Sequence, residues 1–142
     1  SVMELFAKLI QEGRIKIDKS YWDGTRFTYH DSCNTARSGG VYEEPRIVIN
    51  ATVNDFVELE HNREKGFCCG GGGGALAMPE FAKRRIAAGK IKGDEIRATG
   101  ANVVLQSCHN CTDQLKEIVE HYHIDAKVMN LAEMLSPALI IE

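Results

Sequence analysis

The sequence of 142 residues has no apolar run able to cross a membrane: stretches such as Ala138 to Ile141 fall far short of the roughly 18 residues a spanning helix needs. The charged and apolar regions of a signal peptide are missing from the start, and so is an initiator methionine. Because the chain opens on Ser1 and Val2, directly in a helical pattern, we expect a piece of a longer protein. An excess of charge of one sign is absent as well, with 17 basic residues against 20 acidic ones. A net charge of -3 and a pI near 6.0 provide no basic field for a nucleic-acid partner. The even, dispersed cysteine set of a small secreted disulfide scaffold is also absent, since there are five cysteines. An odd count points to a reducing, cytoplasmic compartment. What is present, 142 residues with 44% apolar content, fits a single domain over residues 1–142 that can bury a core.

The cysteines are the most informative feature. They stand as Cys33, the adjacent pair Cys68 and Cys69 followed by Gly70, and Cys108 with Cys111 in a CxxC. Long separations between these three groups mean that only tertiary structure can gather them into one thiolate-rich site.

The chain's periodicities indicate how this happens. Val2, Leu5, Phe6 and Leu9 recur at helical spacing, which predicts a helix over 3–12 that ends at Gly13. Residues 26–30 are rich in aromatic and β-branched types and predict a strand that stops just before Cys33. Pro45 suits the first turn of a helix over 45–53, and the alternation in 56–60 predicts a second strand ahead of the CCG pair. Helical patterns over 79–100, with a break expected near Gly89 to Gly93, and over 111–122 flank a third strand at 102–106. A fourth strand is expected at 126–129. Strands alternating with helices predict an α/β fold: a small, mostly parallel sheet of about four strands, flanked by helices. In such sheets ligands bind beyond the carboxyl ends of the strands, where all three cysteine loops fall.

The tract Gly70 to Gly74 gives a backbone free to take positive φ and to pass close to a bulky group. Its N–H groups can form a nest for a negatively charged ligand, with Gly70 and Gly71 nearest the thiols. Cys111 starts a predicted helix, where the macrodipole favours thiolate, the metal-binding form. A CxxC alone has three readings: zinc, an iron-sulfur cluster or a thioredoxin-like dithiol. Structural zinc takes four ligands, and five cysteines exceed that by one, a surplus that an iron-sulfur assembly or substrate chemistry can use.

With these motifs in place, the chain resembles the cysteine-rich CCG domain of heterodisulfide reductase catalytic subunits and their relatives. The supporting residues are Tyr29-His30-Asp31-Ser32-Cys33 with Arg37, then Pro45-Arg46, then the CCG with its glycine tract. Gly100-Ala101-Asn102 leading to Ser107-Cys108-His109-Asn110-Cys111 completes them. Within that family it is most similar to the catalytic iron-sulfur subunit of sulfite-reductase-associated membrane redox complexes. The resemblance implies an iron-sulfur (4Fe-4S or noncubane) cluster ligated by Cys33, Cys68, Cys69, Cys108 and Cys111. It also implies cleavage of a disulfide, or of a trisulfide on a small protein, through one-electron steps. Neither a CxxCxxCxxxCP run nor a second CCG occurs here. Electrons are therefore expected from a ferredoxin-like donor domain elsewhere in a redox complex, with a membrane subunit and a position on the cytoplasmic face. The alternatives are an iron-sulfur subunit of a glycolate, lactate or glycerol-3-phosphate oxidising system, or a zinc-stabilised interaction module.

Other side chains are candidates of lower specificity. His30 and His109 flank the cysteines and can donate hydrogen bonds to sulfur or protonate a leaving thiolate, or serve as structural histidines. Arg37 offers charge to an acidic ligand or is a surface residue. His121 and His123 suit helix-end or surface roles, and Lys83, Arg84 and Arg85 read as a solvated basic face or a docking patch.

Overall fold

The structure, a computed structural model, describes residues 1–141. Four parallel strands, β1 (Arg26–Tyr29), β2 (Asp55–Phe56), β3 (Val103–Gln106) and β4 (Lys127–Asn130), form one sheet in the order β2-β1-β3-β4. The register pairs Phe27 with Val103 and Val104 with Val128, and the His30 amide extends β1 by donating to the Leu105 carbonyl. The helices α2 (Glu43–Thr52), α3 (Ala82–Thr99) and α4 (His109–His121) make the three crossovers. The expected small parallel α/β fold is the one observed, and the cysteine loops follow strand ends.

Because successive residues of a strand face opposite sides, the sheet has two cores. Phe27, Tyr29, Val103 and Leu105 pack with α1 (Val2–Gln11), α2 and α5 (Leu131–Leu135). Val104 points to the other face and packs with Ile96 of α3, Leu115 and Ile118 of α4, and with Cys69 and Cys111. His30, in phase with Thr28 and out of phase with Tyr29, belongs to the cysteine side. The α2 crossover thus covers the first face, and the α3 and α4 crossovers cover the cysteine face.

Several expectations need correction. On α1 the buried stripe is Met3 and Ala7, with Phe6 and Ile10 beside it, while Val2 and Leu5 are more than half exposed. The predicted strand at 56–60 shortens to Asp55–Phe56, because β2 is an edge strand with one partner, although the Val57 amide still bonds to the Phe27 carbonyl at 2.9 Å. The break near Gly89 to Gly93 does not occur: α3 is continuous from Ala82 to Thr99, and the chain from Pro79 reaches it through a tight 3-10 turn. Those glycines serve packing instead. A Cβ on Gly89 would meet Ile118 Cδ1 at 2.5 Å and the Cys69 carbonyl oxygen at 3.1 Å. The helix interior accepts glycine because α4 and the CCG loop press against it.

A candidate metal centre

Each cysteine loop is fixed by a polar clamp. Asp31, two residues ahead of Cys33 and buried, receives both Arg46 Nη atoms at 2.8 Å. It also accepts the Arg63 backbone amide at 2.7 Å. Arg46 further binds Glu58 (2.7 and 2.9 Å) and the Tyr42 carbonyl, and its guanidinium lies 5.4 Å from the centre of the Tyr29 ring. Burial opposes its charge, but the hydrogen bonds it donates to Asp31 and Glu58 outweigh that effect and hold the guanidinium above the usual arginine range. Beyond Cys33 the chain winds through one π-helical turn, Asn34–Ser38, from which Arg37 donates to the Gly66 carbonyl and ties this loop to the approach of the CCG. Arg37 is a tie between loops.

The CCG loop depends on Gln114, fully buried on α4. Its amide donates to the Cys69 and Arg85 carbonyls, each at 3.1 Å, and its oxygen accepts from Arg85. Gly70 has φ +91°, and a Cβ on Gly71 would lie 2.7 Å from Gln114 Cβ, so the tract must be glycine at these positions. The Gly70 amide points at Cys68 Sγ at 3.4 Å, and the Gly71 amide acts on the Cys69 sulfur. This is the start of the expected nest. The third loop is held by Gln106, whose oxygen accepts from the Cys108 amide at 2.5 Å while its amide reaches Thr112. Ser107 bonds to the Tyr29 hydroxyl at 3.2 Å, and Cys108 caps α4 with Cys111 in its first turn.

The clamps bring the five cysteines together as free thiols. Cys69 and Cys111 are buried with their sulfurs 3.5 Å apart, and Cys68 and Cys108 pack beside them. Cys33 stands near enough to Cys68 to oppose the rise of that thiol's pKa. His30, Cys69 and Cys111 offer ligand atoms that all lie within 4.8 Å of one another. Both ring nitrogens of His30 are buried and, among the described residues, without a hydrogen-bond partner. Burial, and then the Lys92 charge, depress its pKa to about 3, so the ring is neutral at physiological pH. The thiol pair is perturbed in the opposite sense. The bond to Cys111 leads in pushing Cys69 up to about 11, and the bond to Cys69 leads in pushing Cys68 up further. Thiols crowded together, with no cation among them, keep their protons until a metal ion supplies the positive charge.

The remaining candidates separate cleanly. The His109 side chain is 88% exposed and stands 3.7 Å from Asp113, outside the thiol group. His121, which stacks edge-on with Tyr122, and His123 are exposed at the end of α4. Lys83 and Arg84 are exposed, but Arg85 is buried and pairs with Gln114 and Glu117, so the three do not share a solvated face. A pocket lined by Gly70, Ala75, Phe81, Arg84, Arg85 and Ala88 opens beside the glycine tract. Sequence reasoning missed Gln106 and Gln114. Gln114 could have been found, because it lies between Cys111 and Ile118 at helical spacing on an otherwise apolar stripe.

The description "CCG: Cysteine-rich domain" matches residues 27–116, which contain all five cysteines. The chain belongs to the cysteine-rich CCG domain family. Among relatives of this CCG chain, an EtfAB:quinone oxidoreductase of Syntrophomonas wolfei is 34% identical over 143 residues, covering 96% of this chain and 20% of that protein. The Hdr-like menaquinol oxidoreductase iron-sulfur subunit 2 of Archaeoglobus fulgidus is 34% identical over 145 residues, covering 99% and 26%. A heterodisulfide reductase subunit of Methanosarcina mazei is 33% identical over 143 residues, covering 99% and 34%. The chain thus spans a fifth to a third of the length of these relatives. No solved structure matches it significantly. No helix among the described residues is long and apolar enough to cross a membrane.

Proposed function

We propose that this CCG chain is an iron-sulfur-cluster-binding domain of a heterodisulfide-type thiol-disulfide oxidoreductase, working within a larger redox complex. The observation that carries the reading is a set of free thiols at the carboxyl end of a parallel sheet, with Cys69 and Cys111 within 4.8 Å of the unpartnered imidazole of His30 and Cys68 and Cys108 packed against the same core. Cys33, Cys68, Cys69, Cys108 and Cys111 are the ligands. The donor set fits such a group on three counts. Its donors are soft, the raised thiols of Cys68 and Cys69 await a cation, and the buried ring nitrogens of His30 beside Cys69 and Cys111 have no partner among the described residues. Relatives named as iron-sulfur subunits support the same assignment. A closed structural zinc site needs only four of the five thiols.

When bound, an iron-sulfur cluster supplies one-electron steps that couple single-electron carriers to two-electron disulfide cleavage. For each substrate S–S bond broken, two electrons arrive in turn from a ferredoxin-like donor domain, two protons are taken up, and two thiols leave. The chain's own residues hold and orient. The five cysteines anchor the reacting centre, and Gly70 and Gly71 let the CCG loop press against α3 and Gln114. Neutral His30 presents one N–H and one lone pair, enough to steady a proton beside a departing sulfur. The substrate is a disulfide, or a trisulfide on a small protein, met on the cytoplasmic face of a complex that includes a membrane subunit.

A second reading is favoured by the relatives named as quinone and menaquinol oxidoreductases. Here the same cluster passes electrons between subunits and a quinone pool and no disulfide is cleaved, as in an oxidising system for glycolate, lactate or glycerol-3-phosphate. The test is to measure iron, acid-labile sulfide and zinc after anaerobic reconstitution, then to record EPR of the oxidised sample with and without a thiol substrate. Iron and sulfide with a thiol-dependent signal support the disulfide reading. A cluster blind to thiols supports the quinone reading, and zinc without sulfide overturns both.

A further inference from the structure

On α3, Arg85, Gly89, Lys92 and Ile96 recur at helical spacing and form the stripe that faces the cysteines. The Arg85 carbonyl oxygen would lie 3.1 Å from a Cβ on Gly70, Gly89 presses on the Cys69 carbonyl, and Ile96 shares a core with Cys69 and Cys111. Lys92 sits between Gly89 and Ile96 on this stripe and has no exposed surface. Its Nζ is 2.6 Å from Glu95 Oε2, and Glu95 is itself buried. The other Glu95 oxygen is held from the outside, by the His61 backbone amide at 3.1 Å and by Nδ1 of the half-exposed His61 ring at 2.6 Å. The counter-charge is thus shared with the half-exposed His61, while Lys92 has Glu95 as its ion-pair partner. Its charge is felt at His30, whose ring lies among the thiols. A buried ion pair is a poor source of stability, so folding alone gives little reason for a lysine here.

We propose that Lys92, anchored by Glu95 and His61, is a positioning residue whose buried positive charge stabilises the more negative, reduced state of the cluster held by the five cysteines. The proposal rests on the iron-sulfur reading of the site and adds a determinant of its potential. The relation is electrostatic: one added electron is favoured by a cation nearby and disfavoured by its removal. A unit charge in a partly desolvated site shifts such an equilibrium by about tenfold or more.

The test compares the anaerobically reconstituted wild type with Lys92→Met, Lys92→Arg and Glu95→Gln. Iron and sulfide per chain and an EPR-monitored redox titration are the readouts. In Lys92→Met, with cluster content unchanged, the ratio of reduced to oxidised cluster at a fixed applied potential falls by about tenfold or more, which is ~59 mV for a one-electron couple. Lys92→Arg restores the ratio, and Glu95→Gln, which removes the counter-charge, moves it the opposite way. A loaded Lys92→Met with an unmoved ratio overturns the role of Lys92 and leaves the iron-sulfur reading intact. Should Lys92→Met fail to fold, Glu95→Gln decides: a raised ratio supports the proposal and an unmoved one overturns it. A wild type that takes up no iron and sulfide overturns the functional reading itself, and the proposal with it.

Discussion

Replacing Arg46 by methionine tests how the Cys33 loop is held. The substitution keeps the aliphatic bulk in a site where the arginine is 3% exposed, but it removes the forked pairing with Asp31, both bonds to Glu58 and the bond to the Tyr42 carbonyl. Glu58, about a third exposed, can turn to water. Asp31 cannot, and keeps only the Arg63 amide, on a residue whose φ of +55° lies in the left-handed region. Breaking a buried pair by removing one partner costs about 3–5 kcal/mol. Set against a total stability on the order of 5–15 kcal/mol, that loss is a large fraction. Anaerobic urea unfolding of the apo chain, followed by far-UV circular dichroism and Trp22 fluorescence, measures it. Arg46→Lys keeps the charge without the fork and falls between the two. The double variant Arg46→Met/Asp31→Asn loses less than the two single losses added together, since the stranded carboxylate is gone. A loss under about 1 kcal/mol for Arg46→Met would refute the reasoning, because it would place the pair among screened surface bridges.

Three further outcomes follow from the site. Cys69→Ala abolishes cluster assembly, with iron per chain falling at least about tenfold, while the apo domain stays folded and loses only about 1 kcal/mol; metal analysis beside circular dichroism checks both, and a full cluster would defeat the ligand assignment. Gly71→Ala drives a methyl into Gln114 at 2.7 Å, costs about 1–3 kcal/mol and displaces the CCG loop, read as lower melting temperature together with lower iron content. For pH, Cys69 is raised from the ordinary 9.0 to about 11, so the fold favours its protonated form. The contribution is complete below pH 9 and is lost as pH rises from 9 toward 11. Unfolding free energies of the apo wild type and apo Cys69→Ala, taken at intervals across that window, should converge; parallel curves would contradict the assignment.

The parts of the fold that depend on local periodicity were legible in the sequence. The helix over 111–122, with Leu115 and Ile118 on its inner face, lies within two residues of where its pattern put it, and the four strands were each located. The placement of the three cysteine groups beyond strand ends followed from the alternation of elements. What was not legible depended on pairs distant in sequence. Gly89 and Gly93 looked like a helix break because glycine weakens an isolated helix, and only the presence of Ile118 and Ile124 against them explains why α3 runs through. Nothing in the sequence singles out Lys92 and Glu95, which α3 buries as a pair. His30 was named as a candidate because it lies near Cys33 in sequence. Its real association is with Cys69 and Cys111, through the strand register that turns it onto their face.

The three loops are held by different chemistry, and the difference bears on function. The Cys33 loop is fixed by charge, through Arg46 and Asp31, whereas the other two are fixed by neutral amides, Gln114 on the Cys69 carbonyl and Gln106 on the Cys108 amide. The amide clamps themselves add no net charge beside Cys69 and Cys111, so the charges nearby are those of α3, Lys92 paired with Glu95 and Arg85 bonded to Gln114 and Glu117, together with the small amide dipoles of Gly70 and Gly71. Arg46 is committed to Asp31 and Glu58. A scaffold arranged in this way preorganises the sulfurs without neutralising them in advance. The raised thiols of Cys68 and Cys69 then lose their protons as metal arrives, which makes loading proton-releasing.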